Sequence, residues 1–241
     1  MEFGEQAEIT YVMGGMAREF SAPGEILRAL LDAAAQSGMP VDPRLWLDGP
    51  PAGSHPACMA VKAAAEQGLD GAYLRVLREG LMCERRALDN ADTLVEAARV
   101  VPGMDVGRLA SDLRSSAIAE AFGADLERVR GVDPEHHAEG AGRVSFPSFE
   151  FRGEDDVVRG VYGSGAPGEL RDAAVAAGGQ PGPLPSVDEA LHRFGRMAAA
   201  EVAAVCDLPG PLASAELWRA ATEWRTRPQR VLTGELWTAG G

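Results

Sequence analysis

The chain has 241 residues, 46% hydrophobic and 24% charged, and a formal net charge of −13. These proportions describe one large domain, or a domain with an appendage, that is neither disordered nor membrane-spanning. So large an acidic excess opposes general binding to nucleic acid or anionic membranes, and no apolar run approaches the roughly 20 residues that cross a bilayer.

Lys62 is the sole lysine, so nearly all positive charge is arginine. A lysine-poor acidic surface suits a salty cytoplasm, and a codon bias towards Arg, Ala and Gly accounts for it equally. The start, M-E-F-G-E-Q-A-E, lacks the basic and apolar stretches of a secretory signal. Cys58, Cys83 and Cys206 are too scattered for a disulfide framework, which points to reduced thiols in a cytoplasm.

In chain order, residues 9–13 predict a short strand ended by Gly14-Gly15. A helix over 25–37 carries Ile26, Leu27, Leu30 and Leu31 on one face and stops at Gly38. Ser54 is the expected N-cap of a helix over 56–67. Leu74, Leu77 and Leu81 mark another over 70–84, Asp89 or Asn90 caps one to Arg99, and a long helix over 105–130 should break near Gly123. Strands over 143–151 and 157–162 flank a turn at Arg152-Gly153-Glu154-Asp155, and a helix covers 168–177. Residues 179–185 read as a linker, and Ser186-Val187-Asp188-Glu189 as a capping box. Helices over 187–194, 198–206 and 212–224 and a strand-like piece over 230–237 complete a winged-helix-like order. The tail from 186 carries a net charge of −1, leaving −12 for residues 1–185.

Pro147 is the anomaly. Proline cannot donate to a ladder and is excluded from central strands unless its backbone has another task. Tyr11-Val12-Met13-Gly14-Gly15-Met16, Ser54-His55-Pro56-Ala57-Cys58 with Val61-Lys62-Ala63-Ala64, and Tyr73-Leu74-Arg75-Val76-Leu77-Arg78-Glu79 together resemble the DsbA-like thioredoxin family, in its cytoplasmic branch with a large helical insertion. The resemblance covers roughly residues 8–178 and puts Pro147 where that family has its cis-proline. It implies an α/β, thioredoxin-like fold over 1–178 with the insertion at about 17–130, a linker at 179–185 and a helical, winged-helix-like extension over 186–241.

It also implies a Cys-x-x-Cys helix that this sequence does not contain. Phe3-Gly4-Glu5-Gln6 resembles only the end of that helix, and roughly 20–30 residues are missing by typical element lengths. A late start or a fragment is the expectation, because losing a central strand and a packed helix would leave unpaired backbone and uncovered apolar surface.

The resemblance implies a substrate-binding set of Phe146, Pro147 and Ser148, with Ser54, His55 and Cys58 as secondary candidates at a helix start. Cys58 also reads as inert core, Ser54 as a simple cap, and Cys83 and Cys206 as packing. His136-His137 reads as a solvated loop, since adjacent histidines point apart and no ligand cluster accompanies them. Arg219, Arg225, Arg227 and Arg230 form a basic strip, but the acidic body favours a packed cap anchored by Trp218, Trp224 and Trp237 over DNA binding. Three functions follow. The first is a thiol–disulfide oxidoreductase acting on a protein or peptide thiol through a nucleophile outside this sequence. The second is a redox-inactive adaptor, similar to cytoplasmic protease adaptors, holding a partner protein's peptide at the proline groove. The third is a kappa-type glutathione-dependent transferase or isomerase. No bound cofactor, metal, nucleic acid or membrane is expected, and the sequence is silent on oligomeric state.

Overall fold

A computed structural model describes residue 3, residues 6–163 and residues 165–240. Residues 9–13, expected as a strand, join no ladder among the described residues. The N–H of Met13 is taken instead by the Asp125 carboxylate, 2.8 Å away. The helix end expected at 3–6 includes positions outside the described residues.

Among the described residues seven α-helices and a short 3-10 turn over Pro134–His136 precede the first named strand: α1 (Pro23–Ser37), α2 (Leu45–Asp48), α3 (His55–Ala65), α4 (Asp70–Cys83), α5 (Ala91–Ala98), α6 (Val106–Asp112) and α7 (Ser116–Arg130). α3 is the hub. Its Ala60, Val61, Ala63 and Ala64 are buried in one cluster with Tyr73, Leu77, Leu94, Leu109 and Phe122. Small side chains on α3 let four helices approach it closely, while the large residues come from its neighbours. Full burial of side chains such as Leu94 and Leu109 contributes roughly 1.5–3 kcal/mol each. Tyr73 is buried with its hydroxyl donating to the Leu94 carbonyl at 2.7 Å, so its polar end is satisfied.

One expectation about this block is corrected, and one stripe proves only partly covered. The long helix over 105–130 divides at 113–115, where Ser115 caps α7 by accepting from the Ala117 N–H, and it runs unbroken through Gly123. The stripe on α1 is only half covered: Ala34 is the helix's one buried residue, and Leu31 is exposed.

The strand expected over 143–151 is shorter. β1 (Phe149–Arg152) pairs antiparallel with β2 (Val158–Val161), opposing Phe149 to Val161 and Arg152 to Val158. Residues 143–148 are drawn out of the ladder: Val144 donates to the Val129 carbonyl and Ser145 to that of His136. α8 (Pro167–Ala176) lies against both strands. Residues 179–185 have no regular structure, although Gln6 and Gln180 exchange bonds of 3.0 and 3.1 Å.

The tail contains α9 (Val187–Phe194), β3 (Met197–Ala198), α10 (Ala199–Val205), α11 (Gly210–Thr222), β4 (Thr226–Val231) and β5 (Gly234–Ala239), with strand order β3-β5-β4. That is the winged-helix order, with more sheet than the sequence led us to expect: residues 226–239 are a full hairpin. Its core is separate, built from Leu191, Met197, Val202, Leu217 and Trp237. Trp218 meets Trp237 edge-on at 4.9 Å, whereas Trp224 is 81% exposed and anchors nothing, contrary to expectation.

The tail docks on the helical block through a charged seam. Arg196 donates to Glu79 at 2.6 Å and to Glu84 at 2.5 Å, and Arg75 donates to Glu201 at 2.8 Å and to the Arg196 carbonyl at 2.7 Å. Below the seam Met39 and Cys83 pack on Ala198, Val231 and Leu236. Among the described residues no helix is long and apolar enough to cross a membrane.

Candidate functional site

A groove of about 790 Å³ opens between the Gly14-Gly15 segment, the start of α3 and the outer face of α7. Its floor exists because both floor residues are glycine. A Cβ on Gly14 would lie 1.8 Å from the Phe146 ring, and one on Gly15, whose φ is +57°, would lie 2.8 Å from Leu126. Gly15 therefore supplies both clearance and a left-handed backbone, which side chains rarely tolerate.

Beneath the floor sits a buried ion pair. Asp125 on α7 accepts from the Met13 N–H and lies 3.0 Å from the Nζ of Lys62 on α3. The only lysine in the chain thus fastens the residue just before the floor to two helices.

One wall carries His55, its ring edge-on to Phe122 at 5.1 Å. Burial, and then the positive charges of Arg18 and Arg130, hold the imidazole below its ordinary value, so it is neutral near pH 7. Arg143 lies over the Phe146 ring with its guanidinium carbon 4.4 Å from the centroid.

The six candidates from the sequence divide accordingly. His55 lines the groove, and Phe146 packs on its floor. The Phe146–Pro147 peptide is cis and Pro147 is exposed beside the groove. Ser148 is turned inward, its hydroxyl donating to the Ser145 carbonyl at 2.5 Å and accepting from Gly163 N–H at 3.0 Å. Ser54 does not cap α3; its hydroxyl bonds both the N–H and the carbonyl of Ala17 at 3.0 Å, pinning the chain beyond the floor. Cys58 lies under the floor, where burial raises its thiol and the Gly15 N–H only partly offsets this. Cys83 is pushed up to about 11 and Cys206 is also raised, both by burial first. None of the three thiols lines the groove.

Sequence reasoning missed Arg18, Arg130 and Arg143 and the α7 face of Phe122 and Leu126. They come from three distant segments, and nothing local in the sequence marks them as neighbours. The histidine pair has structural duties rather than a solvated life: His136 stacks on Tyr162 at 4.0 Å, and His137 Nε2 meets the Val132 carbonyl at 2.9 Å. No group of three metal-ligating side chains exists among the described residues. In the tail, Arg219, Arg225 and Arg230 are each paired to a carboxylate, which neutralises the basic strip.

A block of seven α-helices precedes a hairpin led in by a cis-proline, with the groove lined by the Gly14-Gly15 segment, α3 and α7. A family described as Thioredoxin matches residues 1–133, and the chain belongs to it. Two curated relatives are both named ClpXP adapter protein SpxH. The one from Halalkalibacterium halodurans is 34% identical over 98 residues, covering 40% of this chain and 32% of that protein. The one from Shouchella clausii is 28% identical over 172 residues, covering 68% of this chain and 54% of that protein. The chain therefore spans about a third and about half of the lengths of these relatives.

Proposed function

We propose that this protein is a thioredoxin-like adaptor that holds a partner protein in the groove beside Phe146 and Pro147 and presents it to a ClpXP protease. One observation favours the reading over thiol chemistry by Cys58, Cys83 or Cys206: none of the three lines the groove, and burial raises the pKa of each. Thiol–disulfide exchange needs a thiolate, and a thiol held near 11 is ionised to about one part in ten thousand at pH 7. The names of the two relatives support the same class.

Pro147 would flank the groove and Phe146 support its floor, with Ser148 and Ser54 holding backbone and Cys58 acting as packing. Within this proposal residues 1–178 form the groove-bearing unit, 179–185 the linker and 186–241 a winged-helix-like extension, each side of the linker having its own buried cluster. A DsbA-type oxidoreductase would require a dithiol outside these 241 residues, and a kappa-type transferase would require saturable glutathione binding.

The test uses purified ClpXP and a protein captured by this chain from its source cells. The adaptor accelerates degradation of the captured protein, and alkylating every thiol leaves that acceleration intact. Loss of acceleration on alkylation of a still-folded chain, or turnover of an insulin disulfide by the chain, overturns the reading.

A further inference from the structure

The lining of the groove holds Arg18, Arg130 and Arg143 and not one Asp or Glu, in a chain whose net charge is −13. Among the described residues none of these guanidinium groups has a carboxylate within ion-pair distance. At the seam between the helical block and the tail, by contrast, Arg75 and Arg196 share Glu79, Glu84 and Glu201. We propose that the groove receives an acidic, apolar segment of the partner protein, with carboxylates met by Arg18, Arg130 and Arg143 and apolar side chains seated on Met59, Phe122 and Leu126. This inference rests on the adaptor reading.

Bland duties account for part of the cluster. Arg130 sits in the last turn of α7, where a cation suits the helix dipole, and Arg143 already covers the Phe146 ring. Neither duty explains Arg18, which comes from a segment without regular structure and is exposed. The three arginines line one groove with His55, and after burial the charges of Arg18 and Arg130 add to the lowering of the His55 pKa. In 0.15 M salt the Debye length is about 8 Å, so the acidic body is largely screened from a ligand that the local cluster contacts directly. Electrostatic complementarity of this kind selects a partner and speeds its encounter.

The apolar part of the lining decides between acidic ligands. Glutathione is anionic but offers no apolar side chain to Met59, Phe122 and Leu126, whereas an acidic segment with Leu or Phe between its carboxylates satisfies both walls. A space of about 790 Å³ is large enough for several side chains.

The experiment is fluorescence anisotropy with a fluorescein-labelled peptide alternating Glu with Leu and Phe, a second in which Lys replaces Glu, and glutathione as competitor. The acidic probe binds, weakens with added salt and loses roughly twofold to fivefold in affinity with each of Arg18→Ala, Arg130→Ala and Arg143→Ala. The Lys peptide does not bind. Equal binding of the two peptides, no binding of either, indifference to all three substitutions, or displacement of the probe by glutathione overturns the inference. Salt dependence of the unsubstituted chain provides a second readout should a variant fold poorly. In the ClpXP assay the acidic probe competes with the captured protein. Delivery that ignores both the probe and the arginine substitutions sinks this inference and leaves the adaptor standing. An unsubstituted chain that delivers nothing sinks the adaptor reading and the inference with it.

Discussion

Asp125→Ala strikes the groove from below. The carboxylate receives the Met13 N–H at 2.8 Å and faces the Lys62 ammonium at 3.0 Å, with the two side chains only 12% and 18% exposed. Its removal orphans a buried backbone donor and leaves an ammonium with little water around it. Breaking one partner of a buried ion pair costs about 3–5 kcal/mol. For a chain of this size each kcal/mol moves the midpoint by roughly 2–4 °C, so Tm should fall by roughly 6–20 °C. Asp125→Asn keeps an acceptor for Met13 and should fall by less. Lys62→Met should be nearly as damaging as Asp125→Ala, because it strands the acid, and the double substitution should fall short of the sum of the singles. Thermal unfolding followed by circular dichroism measures all four. A Tm loss for Asp125→Ala below about 2 °C, or strict additivity of the pair, would refute the view that this bond fastens the groove floor to α3 and α7.

Other expectations follow from single contacts. Gly14→Ala drives a Cβ into the Phe146 ring and should cost roughly 1–3 kcal/mol, with Phe146→Leu relieving it in a double-mutant cycle by urea denaturation; no relief would mean the clash is absorbed elsewhere. Arg196→Ala strips Glu79, Glu84 and Gln229 of a shared partner and should speed proteolysis within residues 179–185, read by mass spectrometry of the fragments. An unchanged cleavage rate would show that the apolar contact beneath the seam suffices. His55 titrates below its ordinary value of 6.5 in the folded chain, so the unfolded chain takes up its proton first. Its contribution is complete above pH 6.5 and declines as pH falls towards the lower folded value. His55→Gln should therefore flatten the dependence of stability on pH below 6.5, which denaturation midpoints measured across that range will check.

Most helices and the tail were legible because their signals are local. The Asn90 cap, the Ser186 capping box and the Leu stripe on α4 each need only a few neighbouring residues. Failures arose where a distant group decided the outcome. Residues 9–13 have strand composition, but Asp125, 112 positions from Met13, takes the donor at their end. Ser54 has the right identity and position to cap α3, yet Ala17 competes for the hydroxyl and wins both of its bonds. The break expected at Gly123 moved to 113–115 because Ser115 supplies a cap there and a lone helical glycine costs only about 1 kcal/mol relative to alanine. For the site, the proline and its neighbours were visible through resemblance, and His55 through its place at a helix start. The three arginines were not, since charge complementarity across a groove has no sequence period.

Degradation by ClpXP of a captured partner in the presence of a Cys58→Ala/Cys83→Ser/Cys206→Ala variant tests the central claim most directly. The account predicts a rate within about twofold of that given by the unsubstituted chain, a difference of about 0.4 kcal/mol in the activation barrier. A folded variant that delivers nothing would contradict it and return the thiols to the mechanism.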